Sequence, residues 1–284
     1  MSLYPPALLY CFAAIFGLIF GSFLNVCIAR LPHHQSVVAP RSRCPACGSV
    51  IRWYDNIPVL SYFVLRARCR RCHKPISAVY PLVEILTACL FVGALAEFGP
   101  GSEFVKAVVF GMLMIVLIFT DLRERVIPHS VTIFGGVLGL ALSLWVPVND
   151  VLFDWLFRRV GIALPRPVSS LVGAVTGGLF GAGLLYGVAW FFHRFGDPQK
   201  EYLGFGDVTL MLVVGIYLGI PLTYLAILLG SVVGTLVAVP FTLSGGRFRG
   251  YHWPYGSFLG AAAIYALLGG PALINAYLRW SGFR

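Results

Sequence analysis

Apolar residues in this chain come in long blocks, not in the alternating or three-to-four-residue rhythms of soluble strands and helices. Eight blocks stand out, at 7–29, 80–98, 104–120, 126–147, 168–192, 207–220, 222–242 and 256–278. A helix crossing a bilayer needs about 20 mostly apolar residues, so the pattern predicts about eight transmembrane helices. The sixth is short and contains glycine, which leaves its ends the least defined. The first is too long for a cleavable signal peptide and lacks a basic leader and a small-residue cleavage site.

Composition fixes the class. Of 284 residues, 58% are hydrophobic and 11% charged, against about 25% charged in an ordinary soluble domain. With a mean hydropathy of +0.85, a soluble globular fold, disorder, collagen and a secreted disulfide scaffold are all excluded. The expectation is an all-α polytopic membrane protein. Its net charge of +10 is read as orienting charge that also touches anionic membrane lipid, not as a nucleic-acid site. Residues 30–79, 121–125, 193–206 and 243–255 fall on one side and hold 15 Lys or Arg, nine of them in the first segment; the other side holds six. The positive-inside rule makes the richer side cytoplasmic and puts both termini in the periplasm. Residues 148–167, with Leu152, Phe153, Trp155, Leu156 and Phe157, become an apolar periplasmic loop lying along the interface.

The chain then divides into a first span (1–29), a soluble insert (30–79) and a seven-helix membrane domain (80–284). The insert carries Cys44-Pro-Ala-Cys47 and Cys69-Arg-Arg-Cys72, two C-x-x-C pairs 21 residues apart. Each pair sets two thiolates on one knuckle, and two knuckles complete a tetrahedron around structural zinc. A reducing cytoplasm disfavours disulfides, and four cysteines leave no open position for a catalytic metal. His33, His34 and His73 read as solvated loop histidines, with His73 an alternative ligand. Cys11, Cys27 and Cys89 fall inside spans and read as small apolar residues.

Only 11 carboxylates are present. Three fall where burial is expected: Glu84 in the second span, Asp121 at the cytoplasmic end of the third and Asp207 at the cytoplasmic start of the sixth. Ionisable groups in such places are functional candidates. Asp121 and Asp207 share one depth and one face, and two carboxylates brought together share a proton. One then serves as base on water while the other polarises a peptide carbonyl. Gly204 and Gly206, flanking Phe205 before Asp207, leave room for a peptide backbone. Three other readings stay open on the residues alone: Asp207 as a helix N-cap, Asp121 as the partner of Arg123 or Arg125, and the pair as the relay of a proton-coupled carrier.

Further motifs carry a family resemblance. Gly21-Ser-Phe-Leu-Asn-Val26 with Arg30-Leu-Pro32, Asp55-Asn-Ile-Pro-Val-Leu-Ser-Tyr62, Tyr80-Pro-Leu-Val-Glu84, Thr120-Asp-Leu-Arg-Glu-Arg-Val-Ile-Pro128, Gly204-Phe-Gly-Asp207 (after Glu201-Tyr-Leu) and Pro254-Tyr-Gly-Ser-Phe258 occur in this order. Together they resemble the bacterial type IV prepilin leader peptidases. The presenilin-type G-x-G-D proteases share the paired acids but not the ribbon. The resemblance implies cleavage of the basic leader from type IV prepilins or type II secretion pseudopilins at the cytoplasmic face of the inner membrane. It also implies methylation of the new N-terminal amine with S-adenosylmethionine. Where the family usually has lysine two residues after the second aspartate, this chain has Thr209. No nucleotide fingerprint marks the methyl-donor pocket, and Asn25 and Glu84, at the junctions of the insert with spans one and two, are the methyltransferase candidates. The runner-up is a peptidase that does not methylate.

Overall fold

A computed structural model of the chain describes residues 5–148, 159, 165–196, 204–243 and 253–281. Its helices are α1 (Pro6–Arg30), α2 (Leu60–Val64), α3 (Val79–Phe98), α4 (Ser102–Glu124), α5 (His129–Ser143), α6 (Arg166–Phe195), α7 (Phe205–Leu243) and α8 (Tyr255–Trp280). Two isolated bridges in the insert are the β pairing among the described residues. The architecture is therefore all-α, as the apolar blocks predict. Most of the apolar loop expected at 148–167 lies outside the described residues.

Six of these helices, α1, α3, α4, α6, α7 and α8, are long and apolar enough to cross a membrane. The block at 126–147 yields a shorter helix. Pro128 holds an extended backbone (φ −66°, ψ 119°) before α5, which runs for 15 residues. The sixth and seventh blocks are joined in α7, but Gly219 (φ 72°, ψ −179°) interrupts it and Pro221 follows. That left-handed φ suits glycine, and proline cannot donate the next helical hydrogen bond.

Contacts show that α7 turns back at Gly219. A side chain built on Gly181 of α6 would meet both the Met211 carbonyl and the Thr223 methyl. Ser231, after the turn, hydrogen-bonds Tyr255 at 2.7 Å, and the neighbouring Gly256 abuts Asp207, before the turn. Asp207 and Ser231 thus lie at one level. The element is a helical hairpin whose arms match the blocks at 207–220 and 222–242.

The chain forms two compact units, Met1–Val116 and Leu117–Arg284. In the first, α1 packs on α3 through Gly17 and Gly21. A Cβ at Gly21 would stand 2.6 Å from the Glu84 Cα. Small residues four apart let helix backbones approach in a membrane, where association rests on close packing. Asn25 closes the contact, its amide donating to the Tyr80 carbonyl at 3.0 Å. In the second unit, Gly177 of α6 lies against the α7 turn, where its Cβ would be 2.8 Å from the Gly219 Cα. The second arm of α7 meets α8 at Gly230 and Leu259.

Candidate active site and metal centre

The insert folds around its cysteines. The sulfurs of Cys44, Cys47, Cys69 and Cys72 all lie within 4.8 Å of one another, and Cys44 Sγ is 3.8 Å from Cys72 Sγ. A tetrahedron with Zn–S bonds of about 2.3 Å has edges of about 3.8 Å, so the donor set fits zinc in size and chemistry. The two knuckles repeat one pattern. Cys44 N–H donates to the Ser49 carbonyl and Gly48 N–H to the Cys44 carbonyl; Cys69 N–H donates to Lys74 and His73 N–H to Cys69, all at 2.9–3.0 Å. Bridges Arg43–Val50 and Arg68–Pro75 close them.

In both knuckles the residue after the second cysteine is left-handed: Gly48 (φ 68°) and His73 (φ 56°). His73 therefore fills the backbone slot that glycine fills in the first knuckle, and the sulfur cluster is complete without it. Two of the four thiols are held below the ordinary range, while burial and the neighbouring sulfurs push Cys72 up to about 11. The Ser49 hydroxyl, 3.0 Å from Cys47 Sγ, brings that thiol down to about 6. The backbone N–H groups of Cys72 and Arg71 hold Cys69 below the ordinary thiol range.

The aspartates are brought together at helix ends within the second unit. Asp121 lies in the last turn of α4, where Arg125 (φ 57°) ends the helix and donates its N–H to the Asp121 carbonyl at 2.8 Å. Asp207 lies in the first turn of α7, which begins at Phe205, and its N–H donates to the Gly204 carbonyl at 3.0 Å. Asp207 is thus inside the helix, not at its N-cap. Both side chains are buried, at 6% and 9% exposure.

The start of α8 joins them. Ser257 donates both its backbone N–H and its hydroxyl to Asp121 Oδ2, each at 2.7 Å. A Cβ built on Gly256 would lie 2.8 Å from Asp207 Oδ1 and 3.2 Å from Asp121 Oδ2. The two carboxylates therefore border one small gap that only glycine leaves open. The Asp121 carboxylate is thus held by Ser257, while Arg123 pairs with Glu124 at 3.9 Å.

The two glycines of the G-x-G-D segment differ. Among the described residues the nearest atom to a Cβ added at Gly204 is Asp207 Oδ2 at 3.8 Å, whereas at Gly206 the Ile127 side chain stands 2.9 Å away. The Ile127 side chain occupies the space beside Gly206. Thr209 turns back on its own helix, its hydroxyl donating to the Gly206 carbonyl at 2.9 Å. Sequence reasoning does not single out Gly256 or Ser257. A glycine and a serine in a span carry no charge signature, although the Pro254–Phe258 motif contains both.

The methyltransferase candidates lie in the first unit. Asn25 and Glu84 are each 8% exposed. The Asn25 amide is engaged by the Tyr80 carbonyl. Glu84 Oε2 accepts the Val59 N–H at 2.7 Å, with the Ser22 hydroxyl beside it. Glu84 thus holds the insert through a backbone group and not through an arginine. Arg70 pairs instead with Asp55, at 2.6 Å.

Fold and site together define a polytopic membrane protein whose helix ends converge on paired buried carboxylates and which carries a four-thiolate insert. The chain belongs to the type IV leader peptidase family. Residues 15–98 match the bacterial peptidase A24 N-terminal domain, and residues 108–239 match the type IV leader peptidase family. It is 41% identical to a prepilin leader peptidase/N-methyltransferase of Myxococcus xanthus, over 83% of this chain and 64% of that protein. It is 31% identical to proteins of the same description from Aeromonas hydrophila (96% of this chain, 95% of that one) and Bacillus subtilis (93% and 96%). No solved structure matches the chain significantly.

Proposed function

We propose that the protein removes the leader peptide from type IV prepilins or type II secretion pseudopilins with Asp121 and Asp207, then N-methylates the new terminus. The observation that carries this reading is the gap at Gly256, flanked by both carboxylates, with Ser257 donating twice to one of them. Hydrogen bonds to a carboxylate favour its charged form. Asp121 is therefore the ionised member and Asp207 carries the shared proton. Asp121 takes a proton from water as the oxygen attacks the scissile carbonyl, and Asp207 donates a hydrogen bond to the developing oxyanion. The Asp121 proton then passes to the departing amine as the C–N bond breaks, leaving a free N-terminal amine and a leader carboxylate. Family membership and the relatives' shared description favour this chemistry over a proton-coupled carrier and over a peptidase alone.

The transfer step uses S-adenosylmethionine as methyl donor and is assigned to the first unit, near Asn25 and Glu84. Zinc held by Cys44, Cys47, Cys69 and Cys72 orders residues 30–79 without entering the chemistry. On the charge distribution, the insert and the aspartates face the cytoplasm and both termini face the periplasm of an inner membrane. In this division residues 1–29 are the first span, 30–79 the metal-holding loop and 80–284 the catalytic membrane domain.

The test incubates the purified protein with a prepilin and methyl-labelled S-adenosylmethionine, following leader release and label separately. Both signals are expected, with label only on the cleaved product. Leader release without label leaves a peptidase alone, and an intact leader overturns the reading.

A further inference from the structure

The contact between Glu84 and Val59 fixes the depth of part of the insert. Helix α3 has 20 residues, which at about 1.5 Å each just match a hydrocarbon core of about 30 Å. Glu84 lies in its second turn, about 7 Å inward from Val79. It also packs beside Gly21 and Ser22 of α1, well before that helix ends at Arg30. By accepting the Val59 N–H at 2.7 Å, Glu84 holds the chain below both helix ends. The insert dips back to the boundary between headgroups and acyl chains.

Helix α2, directly after Val59, suits that depth. Its Leu60, Phe63 and Val64 stand at i, i+3 and i+4 on one face, and they are 57%, 69% and 66% exposed. Their neighbours Ser61 and Tyr62 are half-buried. The short helix turns its apolar side outward and its polar side in, the reverse of what water would select.

The backbone agrees. Val59 has φ 60° and ψ −49°, and Leu60 N–H donates across it to the Pro58 carbonyl, forming a γ-turn that strains a β-branched residue. Such strain persists where surrounding contacts impose it. An N–H taken out of water needs a partner, and the buried Glu84 carboxylate supplies one. The charge of the insert completes the picture. Residues 30–79 hold nine Lys or Arg and one acid, Asp55, which Arg70 grips with two nitrogens at 2.6–3.0 Å.

We propose that α2 is an interfacial membrane anchor: Leu60, Phe63 and Val64 insert into an anionic leaflet, and Glu84 is the positioning residue that latches them there. The zinc-bound insert then rides on the lipid surface and does not swing free between two spans.

The test places the photo-reactive residue p-benzoylphenylalanine at Phe63, or at Val50 in the first knuckle, in the full zinc-loaded chain. Each protein is reconstituted in nanodiscs of phosphatidylcholine with or without phosphatidylglycerol, and adducts are identified by mass. Phe63 is expected to give about tenfold more lipid adduct than Val50, with a higher yield in the anionic discs. Glu84→Ala should cut the Phe63 adduct several-fold while zinc content is kept, and Glu84→Gln, which retains an acceptor oxygen, should restore it. If Glu84→Ala does not insert, the Phe63 and Val50 yields in the unaltered background decide. Equal lipid yields at the two positions, or protein adducts at Phe63, overturn the anchor. Equal Phe63 yields in Glu84→Ala and Glu84→Gln overturn the latch.

Discussion

Each unit buries carboxylates between helices, and the surroundings separate their roles. In the first unit Glu84 is the one buried carboxylate among the described residues, and it meets a backbone N–H, with a hydroxyl beside it. In the second, Asp121 and Asp207 border the same gap, and among the described residues the hydrogen bonds to the pair fall on Asp121. An acid whose charge is answered by fixed donors from its own fold is a fastener. Two acids at one gap, with the donors of the described residues on only one of them, are placed to share a proton in the reaction proposed above.

The largest effect that would break this contrast is at the pair. Asp121→Asn and Asp207→Asn should each lower leader cleavage by at least about 10³-fold, and the double variant should be little worse, since residues acting as a unit are not additive. Near-normal cleavage by either single variant, measured by the mobility shift of a prepilin, would remove the dyad. Gly256→Ala puts a methyl group against both carboxylates, and a displacement of that order costs about 10²-fold. The expected readout is lost turnover in a protein that still inserts and keeps its zinc.

Ser257→Ala sharpens the comparison within the pair. Losing the hydroxyl while the backbone donor remains should lower kcat about tenfold with KM little changed. Ser257→Thr should recover most of the loss. In the first unit, metal analysis should return about one zinc per chain, and Cys44→Ser/Cys72→Ser should lose it and melt earlier, because metal binding and local folding are coupled. Its cleavage should fall less than in any dyad variant. Smallest is Glu84→Gln, which keeps an acceptor for Val59: methylation should drop more than cleavage, and equal loss of both activities would place them in one site.

Much of this was legible because charge is rare in a membrane. Eleven carboxylates could be sorted by position, and Glu84, Asp121 and Asp207, the buried ones among the described residues, emerged directly. The four-cysteine cluster of the insert was legible from the spacing of its two cysteine pairs, because knuckle geometry is local. The turn at Gly219 was anticipated by a break between the sixth and seventh blocks, where glycine and proline interrupt the apolar run.

What escaped depends on tertiary pairing or on strain. Ser257 reaches Asp121 across 136 residues, and no periodicity announces such a contact. Val59 is a poor choice for a positive φ by every local preference, so its γ-turn follows from Glu84 and not from its own chemistry. His73, read as a loop histidine with a ligand role as the alternative, takes the conformation of Gly48 in the repeated knuckle, and nothing local in the sequence announces that.

The hairpin of α7 also has a consequence for the depth of Asp207. From Asp207 to its turn at Gly219 the first arm reaches about 18 Å, well short of a hydrocarbon core of about 30 Å. That arm is shielded by protein instead of lipid: Leu210, Met211, Val213 and Val214 are at most 1% exposed. A helix so placed imposes no mismatch on the bilayer, since thinning answers only segments that lipid touches. The depth of Asp207 is then set by its protein neighbours and not by the thickness of the membrane around them.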